Sequence, residues 1–440
     1  MRNICDYMII QRDSDGFGRA AFSGEKKLDS DVLVVARVLY EDNSMTVIPW
    51  QECEKTETGW KIDLEIPQGG LYRLEARETK GKFDPVNNAY EWAGLIGCAY
   101  HVGVGEVFAL AGQSNMSGYG RDFAYDPPQL GVHVFNKEGQ WALAVHPLAS
   151  VPDPIYRNND PASGTSPGLS FGRMMSKRLG VPVGLVAAPL GGSSLERWNP
   201  AEEDCFLYDD LVSMVDEVGK ISAIVWYQGC NETNEEEAYT YLEKFTQAVG
   251  LWRKKFGNIP VVTCQINRHS FKGGSDRYWG LVREAQRQAA LTIPDVYVVP
   301  TLDMYTTDGI HNGSGACVII GERLAVTLLH GKYGQPGFFA PNIDSVKQTG
   351  KDEIFVTFNG NPVLKSMDDI ATGMNIEDEK GMMKCTKACV CNGGIKITGE
   401  REIEGEAVFH AYWEREQAAF FIRDAAGMPM LACYGVKIEK

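Results

Sequence analysis

The chain has 440 residues, more than one ordinary domain holds, so two or three domains are expected. Its 44% hydrophobic and 23% charged residues are those of an ordinary globular protein. A formal net charge of −15 argues against a nucleic acid or an anionic membrane as partner, since either calls for a basic surface.

The start of the chain, MRNICDYMIIQRDSDG, carries only the brief apolar run Met8-Ile9-Ile10. A secretory signal needs an apolar core of about 7–15 residues and a small-residue cleavage site, and no stretch approaches the roughly 18 apolar residues of a membrane helix. A cytoplasmic location is therefore expected. The eleven cysteines are odd in number and scattered, which is no disulfide framework. The tightest group, Cys385-x3-Cys389-x-Cys391, lacks a matching histidine or second cysteine pair, so it reads as reduced thiols in a strand and no metal is expected.

Residues 1–102 carry short alternating runs broken by Pro and Gly: Val32–Ala36, Trp60–Ile66 and Leu71–Ala76. Period-two alternation reads as antiparallel strands with one wet face, and a β-sandwich-like domain follows. From 103 to 335 the pattern changes to α/β. Apolar strands at Val107–Leu110, Val183–Ala187, Ile221–Trp226, Val261–Ile266 and Val296–Val299 alternate with helical stretches near 168–179, 207–218, 234–256, 276–292 and 315–330. Such strands need cover on both faces, which makes a three-layer α/β/α domain with a parallel sheet and ligands at the carboxyl ends of its strands. Alternation returns over 340–440, in Ile354–Phe358 and Ala419–Ile422, and predicts a second β domain. The Pro/Asn/Asp/Ser-rich run 146–167 is long for a plain loop and reads as a lid or rim.

Four segments fall where predicted strands end. Gly112-Gln113-Ser114-Asn115-Met116 puts a serine on a tight strand-to-helix turn, where it is either a nucleophile or a helix cap. Gly191-Gly192-Ser193-Ser194 lets the backbone approach a ligand, or is an ordinary turn. In Trp226-Tyr227-Gln228-Gly229-Cys230-Asn231-Glu232 the Asn231 amide is a ready oxyanion donor; capping the next helix is the competing task for Asn231 or Thr233. In Asp308-Gly309-Ile310-His311 the acid stands three residues before the imidazole, close enough to fix its tautomer.

All four, in this order, resemble the blocks that define the SGNH hydrolases, whose catalytic domain is flavodoxin-like. The closer likeness is to the sialate O-acetylesterase-like branch, which includes acetylxylan esterases. The likeness extends to Phe171-Gly172-Arg173 and to Trp279-x3-Arg283-Glu284-Ala285-Gln286, and covers about 104–330. Many relatives read Gly-Glu-Ser/Ala-Asn in the third block, where this chain has Gly229-Cys230-Asn231-Glu232. The resemblance implies a serine esterase that removes O-acetyl groups from sugars without a cofactor. Ser114 would be the nucleophile, His311 the base and Asp308 its orienting acid. The oxyanion would be held by the Ser114 N–H, the Gly191 N–H (Gly192 in reserve) and the Asn231 amide. A base that must be neutral implies activity rising with pH, through about 6.5 for an unperturbed imidazole.

Gln113, Gly192, Trp198, Tyr227, Gln228 and Arg268 lie close in sequence to these blocks and are the expected substrate contacts, amid the aromatics Tyr119, Phe123, Tyr125 and Tyr156. Flat rings beside hydrogen-bonding groups suit a small acetylated sugar or oligosaccharide, although rings also pack loops onto sheets. The alternatives are a non-catalytic carbohydrate-binding protein and a lipase or thioesterase. Oligomeric state, a homo-oligomer included, stays open.

Overall fold

The computed structural model describes residues 3–25, 31–80, 83–84, 89–90, 93–365, 371–391, 393–416 and 422–440. Its architecture is mixed α/β: a central sheet with parallel strands, flanked by β-rich regions before and after it in sequence. Four of the five predicted central strands appear within a residue or two, the expected Val107–Leu110 is the last part of a much longer strand, and a short hairpin extends the sheet at one edge. The order is Trp141–Leu143, Val132–Phe135, Val183–Ala187, Ala93–Gly112, Ala223–Tyr227, Val261–Gln265, Val296–Pro300. Every pairing is parallel except the hairpin itself. Val107, Leu110, Val186, Ile224, Val262 and Val299 are buried in one core, and each such side chain stabilises by about 1.5–3 kcal/mol.

Six helices are taken in chain order: α1 (Ser114–Ser117), α2 (Pro167–Leu179), α3 (Phe206–Val218), α4 (Tyr241–Phe256), α5 (Asp276–Thr292) and α6 (Ser314–Tyr333). The start of α2 has a clear cause: Ser166 caps it by accepting from the Gly168 N–H, and Pro167 occupies the first helical position. α4 begins seven residues later than its sequence suggests. Asn234 accepts from the N–H groups of Glu236 and Glu237, a local turn that competes with helix, so neither Asn231 nor Thr233 caps α4.

The long strand Ala93–Gly112 links two regions. Its first part pairs with Gly69–Thr79 and Ile9–Gln11; its last part lies at the centre of the parallel sheet. It therefore runs straight through the expected junction at 102–103. Before it, the strands Phe17–Gly24 and Trp60–Pro67 alternate buried and exposed residues, and their inward faces share a core with Val34, Val38 and Leu74. After the central sheet, seven strands from Ile343–Gln348 to Cys433–Lys437 form an antiparallel sheet around a third core. Cys385, Cys389 and Cys391 lie along one of its strands as free thiols. Of the expected strand Ala419–Ile422, residues 419–421 lie outside the described residues.

Candidate active site

Ser114 opens α1, directly beyond the carboxyl end of the central strand. The turn depends on Gly112, at φ +129°: a Cβ there would lie 2.3 Å from the Tyr227 carbonyl oxygen. The Ser114 Oγ is 3.0 Å from His311 Nε2, and His311 Nδ1 is 2.6 Å from Asp308 Oδ2. The other Asp308 oxygen accepts the N–H groups of Ile310 and His311, so the acid folds its own loop as well as facing the ring. Partial burial pushes the Asp308 carboxyl up, but the imidazole and these N–H groups outweigh it and hold its pKa below the usual value. The three residues singled out for chemistry are thus in direct contact, from loops about 200 positions apart in sequence.

Asn115 joins those loops, a role that its sequence context did not suggest. Its amide donates to the Ile310 carbonyl, and its oxygen accepts from both the backbone and the side chain of Asn312. Asn312 is held in turn by Asn267 and by the Tyr227 hydroxyl. The residues just before and just after His311 are therefore bonded to the residue after Ser114.

The other expected donors are placed differently. The Gly191 N–H donates to Asp160 Oδ2 at 2.8 Å, so it is engaged within the protein. Asp160 comes from the 146–167 run and also accepts from the Tyr119 hydroxyl at 3.1 Å. The Tyr119 ring lies against His311, with centroids 4.5 Å apart. Burial, then the Asp160 charge, pushes the Tyr119 phenol up to about 12. Gly192 follows at φ +67°, exposed, with open space where a side chain would project. The Asn231 amide is exposed and donates to the Gly192 carbonyl at 2.7 Å. Gln113 is buried; its side-chain oxygen accepts from the N–H groups of Gly229 (2.9 Å) and Cys230 (3.0 Å).

Three expected substrate contacts are corrected. Trp198, Tyr227 and Gln228 are fully buried. Trp198 donates to the Ser193 hydroxyl, Tyr227 joins Thr301 and Asn312, and Gln228 joins Glu232 and the Ser193 carbonyl. They support the loops from behind. Glu232, which also accepts the Leu195 N–H, is pushed up to about 7 by burial. Arg268 is half-buried and donates to the Met304 carbonyl.

The 146–167 run is a fixed rim. Asn158 donates to the Ala188 carbonyl, and Arg157 pairs with Asp210. The fully buried Lys137 ammonium donates to the carbonyls of Asn158 and Pro189, with burial pulling its pKa down to about 7. On the other side of the site, Ser270 donates its N–H to the Gly309 carbonyl, bracing the Asp308–His311 loop. That 268–274 segment is gripped by Arg415, which donates to the carbonyls of Phe271 and Gly273. Arg283, fully buried in α5, donates to the carbonyls of Ile266, Asn267, Tyr412, Trp413 and Glu414. The C-terminal region is thereby tied to the wall of the site.

Comparison with known proteins gives the class: the chain is a carboxylic ester hydrolase that acts on carbohydrates. Residues 104–330, more than half of its length, match the family model described as carbohydrate esterase, sialic acid-specific acetylesterase, and the chain belongs to that family. It is similar to a probable carbohydrate esterase of Arabidopsis thaliana, at 26% identity over 250 residues that take in 51% of this chain and 90% of the relative. The solved structure of a carbohydrate acetylesterase from Xanthomonas citri superposes with a TM-score of 0.70 at 18% identity, covering 97% of each chain. The fold is therefore shared along almost the whole chain, the flanking β-rich regions included. The reaction of this family is the removal of O-acetyl groups from sugars.

Proposed function

We propose that this chain deacetylates sugars by covalent serine catalysis, with Ser114 as nucleophile, His311 as base and Asp308 orienting the base. The single observation that carries the reading is the contact series from Asp308 Oδ2 through His311 to Ser114 Oγ, at 2.6 and 3.0 Å. His311 takes the Ser114 proton as the hydroxyl attacks the acetyl carbonyl. It returns that proton to the departing sugar oxygen, then activates water to release acetate from the acyl-enzyme. Asp308, held as a carboxylate, stabilises the imidazolium that forms in each half-reaction.

For the oxyanion we propose the Ser114 N–H, the Gly192 N–H and the Gln113 amide. As the first residue of a helix, Ser114 has no partner for its N–H within the helix. Gly192 stands next to the engaged Gly191 and opens to solvent. The oxygen of Gln113 is taken by two backbone N–H groups, so its NH2 is the end left to donate, one residue before the nucleophile. We read the central sheet as the three-layer SGNH type, with the flanking regions as β-sandwich-like domains over 1–102 and 340–440, the first joined to the central sheet by the continuous strand Ala93–Gly112. The substrate is an acetylated sugar.

Replacing Ser114 by Ala, and separately His311 by Ala, should each lower acetate release from p-nitrophenyl acetate by at least about 10³-fold with folding retained. Acetate release at the wild-type rate by the Ser114→Ala variant would overturn the mechanism.

A further inference from the structure

Two aromatic side chains beside the site are left almost wholly in water: Phe123 is 91% exposed and Tyr125 81% exposed. Their backbone is anchored on either side. Asp122 accepts the Ser314 N–H at 2.6 Å and the Tyr305 hydroxyl at 2.5 Å, while its carbonyl accepts the Ser314 hydroxyl. Asp126, whose side chain is 2% exposed, pairs with Arg173 at 2.6 Å and with His146 at 3.0 Å. Only three residues separate the two anchors, so the rings are held out by fixed backbone.

These anchors also set the rings beside the catalytic loop. Ser314 opens α6 three residues after His311, Tyr119 packs on the His311 ring, and the Arg121 guanidinium lies 5.6 Å from the centre of the Tyr119 ring. Tyr305, itself 45% exposed, abuts Gly313. The segment that carries the exposed Arg121, Phe123 and Tyr125 thus runs from Tyr119, which packs on His311, through Asp122, which is bonded to Tyr305 and to Ser314 just beyond His311. An apolar ring covered on one face by a ligand recovers surface that water otherwise holds. The ligand that matches alternating apolar faces and hydrogen-bonding edges is a sugar chain. With a net charge of −15, the protein favours an uncharged one.

Resting on the reading of Ser114 and His311 given above, we infer that Phe123 and Tyr125 form a platform that stacks sugar rings neighbouring the acetylated unit. The enzyme then takes neutral oligosaccharides in preference to acetylated monosaccharides. Arg121 supplies donors to the hydroxyls between the rings.

The test compares wild type with a Phe123→Ala/Tyr125→Ala double variant. The probes are p-nitrophenyl acetate and chemically acetylated xylo- and manno-oligosaccharides of one and four units. On at least one series, wild-type kcat/KM should rise from monomer to tetramer by about tenfold, the scale set by taking one face of an aromatic ring out of water. In the double variant the ratio of tetramer to p-nitrophenyl acetate activity should fall by a similar factor, through KM. Damage to folding lowers both activities and leaves that ratio in place. No gain with chain length in wild type, or a gain that survives the double substitution, overturns the platform. So does a variant that only dissociates a larger assembly in sedimentation, which makes the patch a contact between copies. Failure of Ser114→Ala to abolish p-nitrophenyl acetate hydrolysis would instead strike the catalytic reading.

Discussion

Replacing Gln113 by Glu separates the donor role proposed for this residue from its structural one. The glutamate has the same length and still accepts from Gly229 and Cys230 at 2.9 and 3.0 Å, so the turn stays pinned. What disappears is the NH2 group. Removing one oxyanion donor costs about 10²–10³ in kcat, or roughly 3–4 kcal/mol. A carboxylate about 4 Å from the developing oxyanion adds repulsion of up to about 4 kcal/mol at an effective dielectric of about 20. The expected loss is therefore at least about 10³-fold, with little change in the thermal midpoint. Gln113→Ala should lose activity and also stability, since two buried N–H groups lose their acceptor at about 1–3 kcal/mol each. Asn231→Ala is the counterpart. Its amide makes one exposed bond to the Gly192 carbonyl, and losing about 0.5–1.5 kcal/mol lowers kcat by about tenfold at most. Initial rates of p-nitrophenyl acetate hydrolysis with thermal unfolding of each variant decide the matter. A Gln113→Glu enzyme within about threefold of wild type, or a loss of 10² or more in Asn231→Ala, would return the donor role to Asn231.

Other consequences are open to direct measurement. Arg283→Ala removes a donor from five backbone carbonyls, of which that of Asn267 keeps the Trp279 indole N–H, and should lower urea-unfolding stability by more than about 4 kcal/mol; a loss under about 1 kcal/mol would show that the others find new partners. Arg415→Ala releases the carbonyls of Phe271 and Gly273 and should lower kcat by about ten- to a hundredfold while KM changes little; an unchanged kcat refutes the proposed bracing of the Asp308–His311 loop. In the C-terminal region, Arg401, ahead of the Glu404 and Lys380 N–H groups, holds the Asp378 carboxyl well below its usual 3.8. A depressed carboxyl stabilises the fold above its unfolded value and loses that contribution as pH falls. Asp378→Asn should therefore lower the urea midpoint at pH 7, with the gap to wild type shrinking below about pH 4. A gap that widens on acidification contradicts the assignment.

The parts of the molecule legible in the sequence are those governed by short-range rules. Val183–Ala187 and Val261–Gln265 are continuous apolar runs because both faces of their sheet are covered, and they stand out in any window. The edge hairpin of Val132–Phe135 and Trp141–Leu143 has strands of four and three residues, too short to establish a period. Asp308 and His311 were readable as a pair because three residues bring acid and ring together within one loop. Of the proposed oxyanion donors, the Ser114 N–H was readable and the choice between Gly191 and Gly192 was not. Whether Gly191 or Gly192 is open depends on Asp160, which arrives from an aperiodic loop 31 positions away and carries no sign of its destination. Burial was equally hidden: Trp198, Tyr227 and Gln228 lie within or beside the recognisable blocks, yet tertiary packing turned them inward.

The grip of the tail on the 268–274 segment has a consequence for how this enzyme can change over generations. The Gly309 carbonyl rests on Ser270, and that segment is tied to residues beyond position 410. Swapping the C-terminal region for an unrelated one would spare Ser114, His311 and Asp308 and still loosen the ground beneath the imidazole. Recombination at that seam is expected to yield folded, sluggish hybrids unless the incoming piece brings its own arginine.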